Sequence, residues 1–122
     1  MGVSIAECEI ADVLELTSDL FRDDRGYFTE FYNDAAARKL GFEQTFVQDN
    51  LSCSSRGVLR GLHYQINPYA QGKLVRCVTG SILDVAVDIR VGSTTYGKYV
   101  KRELSAASGN ALWVPEGFAH GF

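Results

Sequence analysis

The stretch SILDVAVDIR, residues 81–90, alternates so strictly that it leaves few architectures open. In an extended chain Leu83, Val85, Val87 and Ile89 share one face, and Ile82, Asp84, Ala86 and Asp88 share the other, because successive side chains of a strand point to opposite sides. The plainest reading puts the aliphatic face on a core and the carboxylates in solvent. A second reading aims Asp84 into a barrel cavity beside a cation. Strand-like runs also occur within 3–16 and at 27–32, 45–51, 58–65, 73–78, 96–104 and 111–114. Turn signals separate them: RDDRG at 22–26, and Thr79-Gly80, which predicts a hairpin. Twelve glycines against two prolines agree with many tight turns. Regular short strands of this kind predict an all-β sandwich or barrel. One short helix is predicted, with Asn33 as N-cap for DAAARKL and Gly41 as its stop.

Residues 1–122 read as a single domain, long enough to bury a core without staples. A net charge of -3 gives no general attraction for nucleic acid, so an anion must be met by a local group of Arg and Lys. No apolar run approaches membrane-spanning length, and the first ten residues, MGVSIAECEI, lack the blocks of a signal peptide. Cys8, Cys53 and Cys77 are odd in number and match no zinc spacing, which predicts reduced thiols and a cytoplasmic protein. The final stretch, LWVPEGFAHGF, stops on an apolar strand-like residue, and we expect further strands beyond it.

Two spacings carry chemistry. Gly57, His63 and Gln65 form one, and Pro115 to His120 (PEGFAH) the other. Together they resemble the two signatures of the cupin superfamily, a small double-stranded β-barrel. Metal-binding cupins carry His-x-His followed shortly by Glu. Here Gln65 replaces the second His, no acidic residue follows before Asp84, and the chain has two histidines in all. A transition-metal or zinc site needs three or four such donors. From the residues alone, His63 remains a core ring, a ligand or a base.

A more specific resemblance lies in FRDDRGYFTEFY, FVQDNLSCSSRGVLRGLHYQ, QGKLVRCVTGSILDVAVDIRVGSTTYGKY and VPEGFAHGF. In order and spacing these are similar to the dTDP-4-dehydrorhamnose 3,5-epimerase family over nearly all of residues 13–122. The resemblance implies a cupin-like jelly-roll barrel, a homodimer, no cofactor, and a dTDP-linked 4-keto-6-deoxy sugar as substrate. Hydrogens at C3 and C5 both lie alpha to the C4 ketone, so the substrate supplies its own electron sink. The enzyme then needs a base, a donor for the enolate oxygen and an acid on the opposite face.

Motif by motif, the resemblance implies that His63 is the base and Lys73 a substrate contact. We expect the Lys73 ammonium to stabilise the enolate oxygen, a salt bridge to Asp84 being its structural alternative. Arg25, Glu30, Gln48, Asp49, Asn50, Arg60 and His120 match the family's nucleotide-sugar contacts. Arg suits a diphosphate because its planar fork binds two oxygens at once. The resemblance also implies that the segment around Arg25 and Glu30 reaches into the partner subunit's site. It assigns the general acid, a tyrosine, and the carboxylate partner of His63 to chain beyond position 122, so these 122 residues are expected to hold half of an acid–base pair. Asp84 is a candidate to orient Lys73 or His63. Competing readings are an epimerase of one carbon only, a non-catalytic nucleotide-sugar module and a metal-dependent cupin.

One geometric expectation follows. Arg60 and His63 are three residues apart and would face opposite ways in a regular strand. Both are expected at one substrate, so the strand must break its alternation, with Gly61 the natural place for a bulge.

Overall fold

A computed structural model of the chain describes residues 2–122. It contains nine strands, β1 (Val3–Glu7), β2 (Leu14–Ser18), β3 (Phe21–Asp23), β4 (Gly26–Phe28), β5 (Lys73–Arg76), β6 (Ser81–Asp88), β7 (Tyr99–Ser105), β8 (Asn110–Val114) and β9 (Phe118–Gly121), and one helix, α1 (Asp34–Lys39). Strands pair in the order β1-β2-β8-β5 in one sheet and β7-β6-β9 in a second, with β3-β4 as a separate hairpin. All of these pairings are antiparallel. This is the expected all-β, cupin-like architecture.

The two larger sheets face each other across one core. Leu112 and Val114 of β8 meet Ala86 of β6, Val100 and Leu104 of β7 and Phe118 of β9, with Ile10 and Val13 closing the end. A second cluster covers the outer face of the four-stranded sheet. There Ala37 of α1, Phe42 and Trp113 pack with Leu16 and Ala111, and the Phe42 and Trp113 rings meet edge-on at 5.3 Å between centroids. Strand β8 is therefore buried on both sides along its whole length, which explains its unbroken apolar run ALWV.

The helix forms as read. The Asn33 side chain accepts a hydrogen bond from Ala36 N at 3.0 Å, satisfying a donor left free at a helix start. Asp34 and Arg38 pair one turn apart, and Gly41, at φ +82°, ends the turn in the left-handed region.

Four sequence expectations are corrected. The runs at 45–51 and 58–65 form no strand, and only His63 makes an isolated bridge, to His120. Their apolar side chains are largely uncovered, Val47 being 93% and Leu59 85% exposed. Alternation marks a chain able to extend and cannot supply the neighbouring strand that would make a ladder. Within 27–32 only the stretch up to Phe28 pairs, whereas β9 was not anticipated. The Thr79-Gly80 turn joins β5 and β6, which lie in different sheets, so it makes no hairpin. Finally, the carboxylate face of β6 is the buried one. Asp84, Ala86 and Asp88 are fully buried while Leu83 is 56% exposed.

Specific partners make that inversion tolerable for Asp88. Its carboxylate accepts from Arg90 Nε and Nη2, Ser93 Oγ, Thr95 Oγ1 and the Arg90 backbone N–H. Arg90 foremost, then the two hydroxyls, hold this carboxyl well below the ordinary range against the cost of burial. The Arg90 guanidinium also lies over the Phe118 ring at 4.8 Å and pairs with Asp12 at 2.8 Å, fastening β9 to the β6–β7 connection. Asp88→Ala removes the hydrogen bonds that hold Arg90, Ser93 and Thr95, leaving Arg90 paired with Asp12 alone among the described residues, and an expected loss of about 1–3 kcal/mol is measurable by urea unfolding.

Candidate active site

Strand register decides which side chains meet inside the barrel. His120 lies opposite Ala86, whose side chain is in the inter-sheet core, so His120 faces inward with Asp84, two residues away on the same face of β6. Its Nε2 lies 2.6 Å from Asp84 Oδ1. With the carboxylate ionised, Nε2–H is the donor of this contact. The other oxygen, Asp84 Oδ2, is buried without a partner among the described residues. Burial raises the Asp84 carboxyl above its ordinary value, opposed by the His120 hydrogen bond, then by the charges of His120 and Lys73. Asp84 and Asp88 thus sit four residues apart on one face, with shifts of opposite sign set by partners alone.

Lys73 comes from the opposite sheet. It lies opposite Val114, a core-facing residue, so its side chain also enters from the interior face. It forms none of the described ion pairs, so the salt bridge to Asp84 considered from sequence is not present; its charge is felt by Asp84. Asp84 pairs instead with His120, a contact that sequence reading missed. The alternation of SILDVAVDIR exposes Asp84 as unusual, but only register names its partner.

The segment 60–63 runs along the free edge of β9. Arg60 exchanges two backbone hydrogen bonds with Phe122, at 2.7 and 2.9 Å, and His63 exchanges two with His120, at 2.8 and 2.9 Å. Between these pairs Gly61 and Leu62 stand opposite Gly121 alone. Two residues against one is a β-bulge, and it falls at Gly61, where φ is +129°. The expected break is there. Its consequence follows from register: Arg60 shares a face with Phe122, His63 with His120, and residues 120 and 122 share a face with each other. The His120 and Phe122 rings, 5.9 Å apart, agree. Arg60, His63, His120 and Asp84 are thereby gathered on one wall, with Lys73 on the other.

His63 and Arg60 are exposed. The Arg60 guanidinium is held by Ser54 Oγ at 2.8 Å and the Cys53 carbonyl at 3.2 Å, which ties it to the segment that follows Gln48, Asp49 and Asn50. Those three are exposed, with Gln48 Nε2 donating to Asn50 Oδ1. Arg25 stands apart, at the tip of the β3–β4 hairpin, its side chain 90% exposed and paired with Asp23. Glu30 is half-buried on the chain leaving that hairpin. Nearby, Arg76 donates to the Phe31 carbonyl at 2.7 Å and lies over the Phe31 ring.

Known proteins share this fold and much of this sequence. The profile described as dTDP-4-dehydrorhamnose 3,5-epimerase matches residues 7–122. A relative of that name from Shigella flexneri is 54% identical over 121 residues, covering 98% of this chain and 67% of the relative; one from Escherichia coli K12 is 53% identical, with 98% and 65% covered. The chain thus spans about two thirds of the length of these curated relatives. A crystal structure of the Legionella pneumophila dTDP-6-deoxy-D-glucose-3,5-epimerase in complex with dTDP-4-keto-L-rhamnose superposes with a TM-score of 0.93 at 43% identity, over 99% of this chain and 64% of that one. In sequence and in fold, the chain belongs to the dTDP-4-dehydrorhamnose 3,5-epimerase family.

Proposed function

We propose that the protein is an isomerase that converts dTDP-4-dehydro-6-deoxy-D-glucose to dTDP-4-dehydro-L-rhamnose by cofactor-free proton transfer. The observation that carries this reading is the Asp84–His120 hydrogen bond inside the barrel, with His63 paired to His120 through its backbone and the Lys73 charge felt at Asp84. His63 takes the proton from C5 or C3, the C–H electron pair forms a double bond to C4, and the carbonyl π pair moves onto the C4 oxygen as an enolate. The Lys73 ammonium, entering from the opposite wall, stabilises that oxygen. The pair then returns to carbon as an acid delivers a proton to the other face, inverting the centre. His120 contacts the sugar. Arg60, with Gln48, Asp49 and Asn50 on the segment it is tied to, receives the nucleoside diphosphate.

Arg25 and Glu30 complete the site of a second subunit in a homodimer. The isolation of the β3–β4 hairpin supports this: all six of its strand residues are exposed. A cytoplasmic setting accords with three free cysteines. Among the described residues, no helix is long and apolar enough to cross a membrane.

Incubation with the dTDP-linked 4-keto-6-deoxy sugar in deuterated water tests the reading. Deuterium at both C3 and C5 is the expected result. Label at one carbon only replaces the proposal with a single-carbon epimerase. Binding of the nucleotide sugar without any label leaves a non-catalytic binding module.

A further inference from the structure

Gly61 and Gly121 face each other across the bulge. A Cβ on Gly121 would lie 2.9 Å from the Arg60 carbonyl oxygen, 3.0 Å from Leu62 Cδ2 and 3.4 Å from Gly61 Cα. A Cβ on Gly61 would lie 2.7 Å from Gly121 Cα and 2.9 Å from the His120 carbonyl oxygen. Most of these neighbours are backbone atoms, which cannot swing aside. The two glycines differ in one respect. Gly61 has φ +129° and so requires glycine for its conformation as well, whereas Gly121 is not among the positive-φ glycines. At Gly121 the requirement is close approach alone.

We infer that Gly121 is a positioning residue for the reaction, resting on the reading of His63 as the base. The bare backbone at 121 lets two residues of the facing segment stand opposite one. That two-to-one pairing turns Arg60 and His63 onto the face of His120 and Asp84. A side chain at 121 forces the strands apart between the 60–122 and 63–120 pairs. The flanking hydrogen bonds then stretch, and the His63 imidazole leaves its line with the sugar while the barrel core, built from β6, β7 and β8, keeps its packing. A displacement near 1 Å is enough to cost roughly 10²-fold in rate.

The experiment compares Gly121→Ala with Gly92→Ala in the full-length protein. Gly92, unlike Gly121, sits at positive φ, so Ala there strains the backbone, but a Cβ at 92 meets nothing within 4 Å. Two readouts are taken: hydrogen exchange of the His63 and His120 amides, both donors across the bulge, and kcat and KM for epimerisation. Gly121→Ala is expected to lose protection at these amides and to lower kcat roughly 10²-fold, with a smaller change in KM. Gly92→Ala is expected to keep both amides protected and its turnover. Retained protection and turnover in Gly121→Ala, or an equal loss in Gly92→Ala, would overturn the inference. If Gly121→Ala does not fold, it is combined with deletion of Gly61, which makes the pairing regular and leaves Arg60 and His63 two positions apart on one face. Recovery of the protected amides in that double variant supports the inference, and failure to recover overturns it. Absence of epimerisation in the unsubstituted protein defeats the proposed function, whereas amide exchange still decides the role of Gly121.

Discussion

His63→Asn is expected to lower kcat by roughly 10²–10⁴-fold, the contribution of a positioned general base, while leaving affinity for TDP nearly unchanged. The structure separates the two effects. His63 is held by its backbone, through two hydrogen bonds to His120, and its exposed side chain makes none of the described hydrogen bonds. Asn can therefore occupy the bulge without disturbing Arg60, whose grip on Ser54 and Cys53 is independent of the ring. Deuterium incorporation should fall in parallel with turnover, because abstraction itself is lost. A His63→Asn protein that exchanges C5 deuterium at the original rate would remove His63 from the chemistry.

Asp84→Asn is expected to move stability and activity in opposite directions. The Asp84 carboxyl is fully buried, one oxygen lacks a partner, and burial raises its pKa. A carboxyl with a raised folded-state pKa binds protons more tightly folded than unfolded. Its effect on stability is therefore neutral in acid and becomes a penalty as pH rises from the ordinary value of 3.8 through the raised one. Asn carries no such slope and can still bond His120 through its amide oxygen. At neutral pH the variant is expected to be more stable than the parent by about 1 kcal/mol, because Asn removes the buried charge that raises the Asp84 pKa, and the difference should vanish in acid. Turnover is expected to fall on the order of tenfold, about the loss of one charge-assisted hydrogen bond, because His120 and Lys73 lose their shared counter-charge. Urea unfolding as a function of pH, beside kcat on the same preparations, checks both signs. Loss of stability at neutral pH would mean that the charged pair is the stabilising form, contrary to the direction set by burial.

The helix at Asp34–Lys39, with its Asn33 cap and Gly41 stop, was readable because capping depends on residues within one turn. The extended character of β5 to β8 was readable for a similar reason, since alternation is a local property. The motifs containing His63, Lys73 and His120 carried the family resemblance, and the profile match bears it out. Even the break at Gly61 could be anticipated, as a conflict of parity between two residues needed on one face. The segments at 45–51 and 58–65 misled, because their composition is that of strands, while the first forms no strand and the second pairs across to Phe122 and His120 only through Arg60 and His63, on either side of the bulge.

By itself, then, the sequence determined the class of fold, the turns, the single helix and the residue types able to move a proton beside a ketone. All of these rest on interactions within a few residues of chain. Tertiary structure alone decided that the carboxylate face of β6 is the buried one, that Asp84 serves His120, that Lys73 enters from the opposite sheet and that Gly121 lets the bulge close. Each of these depends on which residue stands opposite which across strands far apart in sequence. A shift of one residue in that register would turn every one of these side chains to the other face.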